Sequence, residues 1–528
     1  MRGAEAHCFQ IIERELSGLA FEGGNWQRCP INPAIQNHPH YSLLHFTKTP
    51  ERPIGLSAEE TYTGRSNLVY IVPGTNVKSS GDSVALNTHL DVVAPYFPPR
   101  VKHGVVLGRG ACDDKGPLVA IITALKVLSE VMAEAGLKWN KNIVAMFVVE
   151  EETGGNGSLS LAMDRELKKH YDCVLIGEPT SLKIHPANRG AVWYRAELKP
   201  PADVSAFEMS AFVIEELEKE GAAIRAESGH RLFPQRPVQT CHGIIGPFGE
   251  HPSRICGEVC FKIQFAERPG KAAEALVHDC LESGLVDYIG RYGDKTKVID
   301  STTAKPMVVR HYDFNRTSNG FNVVVHGATG HMGAIRERDG AITKMGHLVR
   351  SLIFSKGKLS AVSGPVSLEL SGKSSGGSLV LEGGQGFVPT HTIEEIMERL
   401  RQAATRGAEN YLRRCGNNES GAQALSVTFE KLHNAAFDGD PDSPAMRNAV
   451  AAAKESKISK NDPVTGWTVS CDARLFATEY AGMPVLTFGP GELAFAHSDQ
   501  EQIAVEDILR AVEFLALFLL RQTGTVTD

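Results

Sequence analysis

VALNTHLDVV (residues 84–93) is followed along the chain by GRGACDDKG (108–116), VVEEETGG (148–155), IGEPT (176–180) and, far downstream, FAHSD (495–499). The first, third and fourth share one design, an apolar run that ends abruptly on ionisable residues. Such a run, bounded by turn residues, reads as a strand buried on both faces, and open α/β sheets gather their ligands where strands of this kind end. Working outward, NLVYIVPG (67–74), SVALNTHLDV (83–92), NIVAMFVVEE (142–151) and YDCVLIGE (171–178) are predicted strands. Between them GPLVAIITALKVLSEVMAEAG (116–136) is a predicted helix that starts after a glycine-rich loop and stops at Gly136. Alternation of this sort predicts an α/β sheet covered by helices.

The character changes from Asn188 to about Ala436, where the carboxylate clusters disappear. Two stretches there run in similar order. AVWYRAEL (191–198), a helix over 205–221, VQTCHGIIG (238–246), RICGEVCFKIQF (254–265) and a helix over 270–284 form the first. GFNVVVHGATG (320–330), a helix over 341–353, SLVLEGGQG (378–386) and a helix over 392–412 form the second. We expect tandem α/β units over 188–300 and 315–436. After the Pro/Asp/Gly-rich stretch ending at Pro444, the helix AMRNAVAAAKE, the strand-like MPVLTFGPG and a terminal helix resume the first pattern and are expected to complete its sheet. The expected domains are therefore 1–187, 188–436 and 437–528, the first and last forming one unit.

Composition limits what these residues can do. A chain of 528 residues with 42% hydrophobic content can bury more than one core. The formal charge of -7 shows no basic excess to attract nucleic acid or anionic lipid, so a small molecule is the expected partner, with no nucleic acid and no membrane. Residues 1–24 lack the uninterrupted apolar run of a secretory signal, and FLALFLL (514–520) falls short of the roughly 20 residues that span a bilayer. Ten cysteines without a CxxC pair read as reduced structural thiols, in keeping with a cytoplasmic setting.

Taken singly, the polar residues have bland readings. His89 and Asp91 lie two apart at a strand end, where the carboxylate can fix the imidazole tautomer, yet such a pair is also a common surface feature. Asp113 can bridge two cations with its two oxygens, or, with Asp114, serve as a helix cap. Glu150, Glu151 and Glu152 raise one another's pKa unless cations neutralise them or the turn is solvated. Adjacent residues leave a strand on opposite sides, so one carboxylate can ligate while its neighbour handles protons. Glu178 closes another apolar run and His497 precedes the last helix. Jointly, two imidazoles and three carboxylates without a thiolate suit a pair of hard or borderline ions, with Zn²⁺ the best match.

The ordered set HLD, GRGxxDDKG, EEE with TGG, GEPT, CDAR (471–474), FGPG (488–491) and AHSD (496–499) resembles the co-catalytic zinc amidohydrolase and peptidase family. Its members include acetylornithine deacetylase, succinyl-diaminopimelate desuccinylase, aminoacylase, glutamate carboxypeptidase and bacterial dipeptidases of the carnosinase type. The resemblance covers roughly residues 65–190 and 440–515. It implies a mixed-sheet α/β catalytic domain with an inserted α+β lid, here about twice the usual size. It implies two Zn²⁺ per chain (Co²⁺ or Mn²⁺ as substitutes), one held by His89 and Glu178, the other by Glu152 and His497, with Asp113 bridging. Glu151 matches the general base and Asp91 the acid that orients a metal-binding His. The lid segment VVVHGATGHMGAIRERDGAI (323–342) offers His331 as the residue that polarises the scissile carbonyl, with His326 as competitor. Arg336 and Arg338 are guesses for a substrate-carboxylate group. The implied activity is hydrolysis of an amide bond in a small N-acyl amino acid or dipeptide. A metal-dependent binding protein without turnover, and a carbamoyl- or ureido-bond hydrolase, are the alternatives. The enlarged lid predicts that one chain can act alone, with a homodimer left open.

Overall fold

The computed structural model describes residues 2–19, 21–76, 81–300, 304–332, 339–372, 377–430, 433–459 and 462–527. Its organising element is a six-stranded mixed sheet whose order is Asn25–Pro30, Ser66–Val72, Ile143–Val148, Val84–His89, Cys173–Gly177 and Val485–Phe488. The first three pair antiparallel. The last four run parallel to one another. Ile143–Val148, Val84–His89 and Cys173–Gly177 are buried at every residue, as apolar runs without alternation require when both faces are covered. The sixth strand comes from the C-terminal part of the chain, as expected from MPVLTFGPG.

Two apolar clusters flank this sheet. On one face the helices Lys115–Ala135 and Val505–Thr523 pack with Leu86, Phe147 and Leu486. The Phe488 and Phe514 rings lie 4.0 Å apart between centroids. The long helix ends where expected, because Gly136 takes the left-handed conformation (φ 60°) that a side chain disfavours. On the other face Val69, Val144, Ile176 and Phe476 form the second cluster. The terminal apolar stretch is thus one buried side of a packed helix. No helix among the described residues is long and apolar enough to cross a membrane.

Residues 190–428 build a separate core of their own around two antiparallel sheets. One sheet has the order Thr240–Ile245, Leu379–Phe387, Gly190–Leu198, Leu425–Thr428. The other runs Tyr312–Arg316, Gly320–His326, Glu258–Phe265, Val366–Leu370. Each sheet mixes strands from the two stretches, which corrects the expectation of tandem units. Antiparallel pairing of Gly190–Leu198 with Leu379–Phe387 along its whole length ties the beginning of this region to its end.

Two of its helices run further than expected. The helix begun at Lys271 continues to Tyr292, and the one begun at Ala206 continues to Glu227. Their internal glycines are sites of close approach rather than stops. A Cβ at Gly284 would lie 2.8 Å from the His347 carbonyl oxygen, and one at Gly221 would lie 1.8 Å from Thr240 Oγ1.

Candidate metal centre

The chemistry gathers at the C-terminal ends of the parallel strands, where the strand backbone stops and side chains can converge. His89 ends its strand buried, with Nε2 3.0 Å from Asp113 Oδ1 and Nδ1 3.1 Å from the Asp91 carbonyl oxygen. The Asp91 carboxylate accepts hydrogen bonds from the backbone N–H of Glu151 (3.2 Å) and Glu152 (3.1 Å). One acidic residue thus holds both the imidazole and the acidic turn. Glu178 follows its strand directly and is buried. His497, held at φ 58°, turns Nε2 to within 3.0 Å of Glu152 Oε2 and 3.3 Å of Asp113 Oδ2.

Two donor groups result, and they share a member. His89, Asp113, Asp114 and Glu178 each offer a ligand atom, and these atoms lie within 4.8 Å of one another; so do those of Asp113, Glu152 and His497. Asp113, the common residue, can face both groups with its two oxygens.

The three glutamates of the turn take different tasks. Glu150 points away from the centre to bond the Arg65 guanidinium and the Tyr62 hydroxyl. Glu152 meets His497, and Glu151 lines the cleft beside Glu178 and His331.

Negative charge dominates the assembly. Burial, then repulsion from Asp472, Glu152 and Asp113, pushes the Glu151 carboxyl well up. Burial, followed by Glu151, Asp113 and Asp114, does the same to Glu178. Burial opposes ionisation of Asp113 too, but hydrogen bonds and charge from His497 and His89 outweigh it and hold that carboxyl below the ordinary range. His497 is raised to about 10 against its burial, chiefly by Glu152 and Asp113. Buried Asp114 Oδ1 has no hydrogen-bond partner among the described residues. Carboxylates crowded in this way call for cations, and oxygen and imidazole donors without thiolate fit a pair of divalent ions.

The second wall comes from residues 190–428. His331 is buried against His497, their rings edge to face at 4.7 Å. Its position is fixed from both sides: the Met332 N–H donates to the Ser253 carbonyl at 2.7 Å, and the Ile255 N–H donates to the Gly330 carbonyl at 2.9 Å. Ser253 Oγ lies 3.4 Å from His497 Nδ1, and Arg254 Nη2 reaches Asp499 Oδ1 at 2.7 Å. Burial, then the charges of His497 and Arg189, push the His331 imidazole down, which favours its neutral form. The space between the walls is narrow, about 50 Å³, lined by Asp113, Glu151, Glu152, Glu178, Arg189 and His331 among others. His326 is elsewhere, its Nε2 2.8 Å from Asp313.

The family model described as peptidase family M20/M25/M40 matches residues 85–521. The chain belongs to this family. Its M20 architecture is shared across nearly its whole length by solved structures. The di-peptidase Dug1p of Saccharomyces cerevisiae is 14% identical, with a TM-score of 0.54 over 99% of this chain and 91% of that one. Human carnosine dipeptidase 1 is 12% identical, with a TM-score of 0.52 over 99% and 92%. Among curated M20 relatives, a LysW-lysine/LysW-ornithine hydrolase of Saccharolobus islandicus is 31% identical over 112 residues, 21% of this chain and 29% of that protein. A Pyrobaculum aerophilum protein, provisionally given the same name, is 29% identical over 201 residues, 38% of this chain. The chain thus spans about half the length of the latter, 55%, and less of the former.

Of the expected residues, Asp113, Glu151, Glu152, Glu178, His331 and His497 line one cleft, and His89 and Asp91 stand behind it, bonded to Asp113 and to the Glu151–Glu152 turn. Arg336 and Arg338 lie outside the described residues. Three contributors were not anticipated. Asp114 was read as a cap, but its side chain makes no capping bond; it accepts from Thr88 Oγ1 and the His89 N–H instead. Glu501 accepts from the N–H groups of Cys112 and Asp113 while paired with buried Arg109. Arg189 is fully buried in the cleft wall, donating to the Pro237 carbonyl and the Gln239 amide oxygen, with Nε lacking a partner among the described residues. Burial brings its pKa down to about 10. The motif RGAVW that carries it was visible in the sequence, but nothing there indicated that among the described residues its charge would hydrogen-bond no carboxylate.

Proposed function

We propose that this chain is a dinuclear metal-dependent hydrolase of amide bonds in small N-acyl amino acids or dipeptides. The observation that carries the reading is Asp113 standing common to two donor groups, with Glu151 and His331 on opposite sides of the same narrow cleft. His89 and Glu178 would hold one ion, Glu152 and His497 the other, and Asp113 both. Zn²⁺ is the proposed metal, with Co²⁺ or Mn²⁺ as substitutes, because the donors are oxygen and imidazole. Bound there, paired ions supply Lewis acidity and a water activated at neutral pH.

The remaining work falls to the chain's own groups. Asp91 orients the His89 ring and, through its bonds to the Glu151 and Glu152 N–H groups, keeps the acidic turn in register with it. Glu151 takes the proton of the attacking water and returns it to the leaving amine nitrogen. His331 donates an imidazole N–H to the carbonyl oxygen as that atom gains charge. Arg189, which among the described residues hydrogen-bonds no carboxylate, would receive the carboxylate of the substrate. The narrow space excludes bulk water around these groups.

The domain division that goes with this reading is a catalytic unit of residues 1–187 and 437–528 with a lid of 188–436. Because His331 reaches His497 of its own chain, one chain suffices for the site. The ten free thiols, most of them buried, support a cytoplasmic setting. The test is Glu151→Gln, assayed with dipeptides and N-acyl amino acids. The variant keeps two metal ions per chain by elemental analysis and loses at least about 10²-fold in kcat. Full turnover in that variant refutes the assignment.

A further inference from the structure

The metal cleft has room for little beyond the scissile group, about 50 Å³, so the groups flanking that bond must lie outside it. Two larger chambers adjoin it. One, of about 560 Å³, meets the cleft at Trp467 and Leu493 and is edged by polar groups such as Lys183, His185, Gln235 and Asp462. The other, of about 350 Å³, meets it at Glu152 and Trp193, and its wall is built from Leu43, Phe46, Val92, Val93, Ala94 and Trp193. That volume lies in the lower part of the range of about 300–1,000 Å³ typical of small-molecule pockets.

Three observations give the second chamber its character. Of its charged groups, Glu5, Arg65 and Glu150 at one end are bonded to one another, while Asp91 and Glu152 at the other belong to the metal centre, so none of them solicits an ionic ligand into the chamber. Leu43 leaves 49% of its surface uncovered beside the catalytic turn, a large apolar side chain with no partner to bury it. The segment bearing Leu43 and Phe46 is also fixed in place. Asn156 Oδ1 accepts the Ser42 N–H at 3.0 Å, Asn156 Nδ2 donates to the Ser42 carbonyl at 2.8 Å, and Ser42 Oγ donates to the Gly154 carbonyl at 3.1 Å. His45 Nε2 lies 2.9 Å from the Glu430 carbonyl oxygen at the far end of the same segment. Residues 42–46 thus form a wall held against the acidic turn, and they lie before the span matched by the family model, which begins at residue 85.

We propose that this chamber is the specificity pocket for a large apolar group on one flank of the scissile amide, an aliphatic or aromatic side chain or an acyl chain of similar bulk, with Leu43 its gatekeeping contact. The proposal rests on the hydrolase reading above and adds the substrate class to it. Burying such a group against Leu43, Phe46, Val93 and Trp193 removes apolar surface from water on both partners.

The experiment measures kcat/KM of the Zn²⁺- or Co²⁺-loaded protein on Xaa-Gly and Gly-Xaa dipeptides (Xaa being Gly, Ala, Leu or Phe) and on N-acetyl- and N-hexanoylglycine. In one of these series the value rises by about tenfold or more from the smallest to the largest apolar group. Leu43→Asp collapses that ratio toward one, and Leu43→Trp, which narrows the chamber, shifts the preference to the smaller member. Both changes are at a half-exposed position, and circular dichroism confirms that each variant is folded. Turnover with no size preference in any series, or a preference that both variants retain, overturns this inference and leaves the hydrolase reading intact. No turnover of any substrate overturns both.

Discussion

Glu501 accepts the backbone N–H of Asp113 at 3.0 Å across 388 positions of sequence. Its Oε1 also accepts the Cys112 N–H, and Oε2 takes the buried Arg109 guanidinium at 2.5 Å. The loop that presents the shared carboxylate is therefore clamped from the C-terminal part of the chain. Such outer partners decide where a ligand atom points, and so how well it holds a metal.

Glu501→Gln keeps the size of the side chain while removing the charge that pairs with Arg109. We expect affinity for the metal pair to fall by about 10- to 100-fold. The chain should also lose about 3–5 kcal/mol of stability, because Arg109 is left buried and unpaired. Competition titration with a chromophoric chelator measures the first and urea unfolding the second. Unchanged metal affinity would show that the clamp has no bearing on the centre.

His331 and His326 separate a cleft residue from a surface one. Replacing His331 with Ala should lower kcat by about 10²–10³ with little change in metal content, the size of effect seen when a donor to a developing oxyanion is removed. Replacing His326, which bonds Asp313 on an outer strand, should change kcat by less than about twofold. Equal losses in the two variants contradict the distinction.

His185 is buried with Nδ1 2.8 Å from the Thr465 carbonyl oxygen, and burial pushes its imidazole down to about 4. The unfolded chain takes up this proton near the ordinary value of about 6.5, before the folded chain does, so falling pH favours unfolding. Its effect is absent above about pH 6.5, grows as pH falls toward about 4, and amounts to about 3 kcal/mol once both states are protonated. Urea unfolding in chelator-containing buffer at several pH values should therefore show a shallower acid loss for His185→Gln than for the parent chain. Parallel profiles refute the claim.

The parts of this molecule governed by local rules were legible before any coordinates. Uninterrupted apolar runs such as Ile143–Val148 could only be strands covered on both faces, and the ionisable residues that end them had to share one rim of the sheet. Gly136 behaved as a stop because nothing but its own backbone angle mattered there. Gly284 misled because its meaning lies in a neighbouring helix, and proximity of that kind leaves no mark in a local pattern. The interleaved sheets of residues 190–428 escaped for the same reason, since element order carries no record of which strand pairs with which. Arg189 and Glu501 were unremarkable letters whose roles depend on what fails to surround the one and on what the other reaches across the fold.

The sixth strand, Val485–Phe488, stands far along the chain from the groups it joins, as do Glu501, which accepts from the Asp113 loop, and His497, whose ring pairs with the Glu152 carboxylate. Glu152 waits 345 residues for His497, and Asp113 waits 388 for Glu501. Closure of the second donor group is therefore bound to the docking of this distant segment onto the other five strands, so that integrity of the sheet and the capacity to hold a second ion rise and fall together.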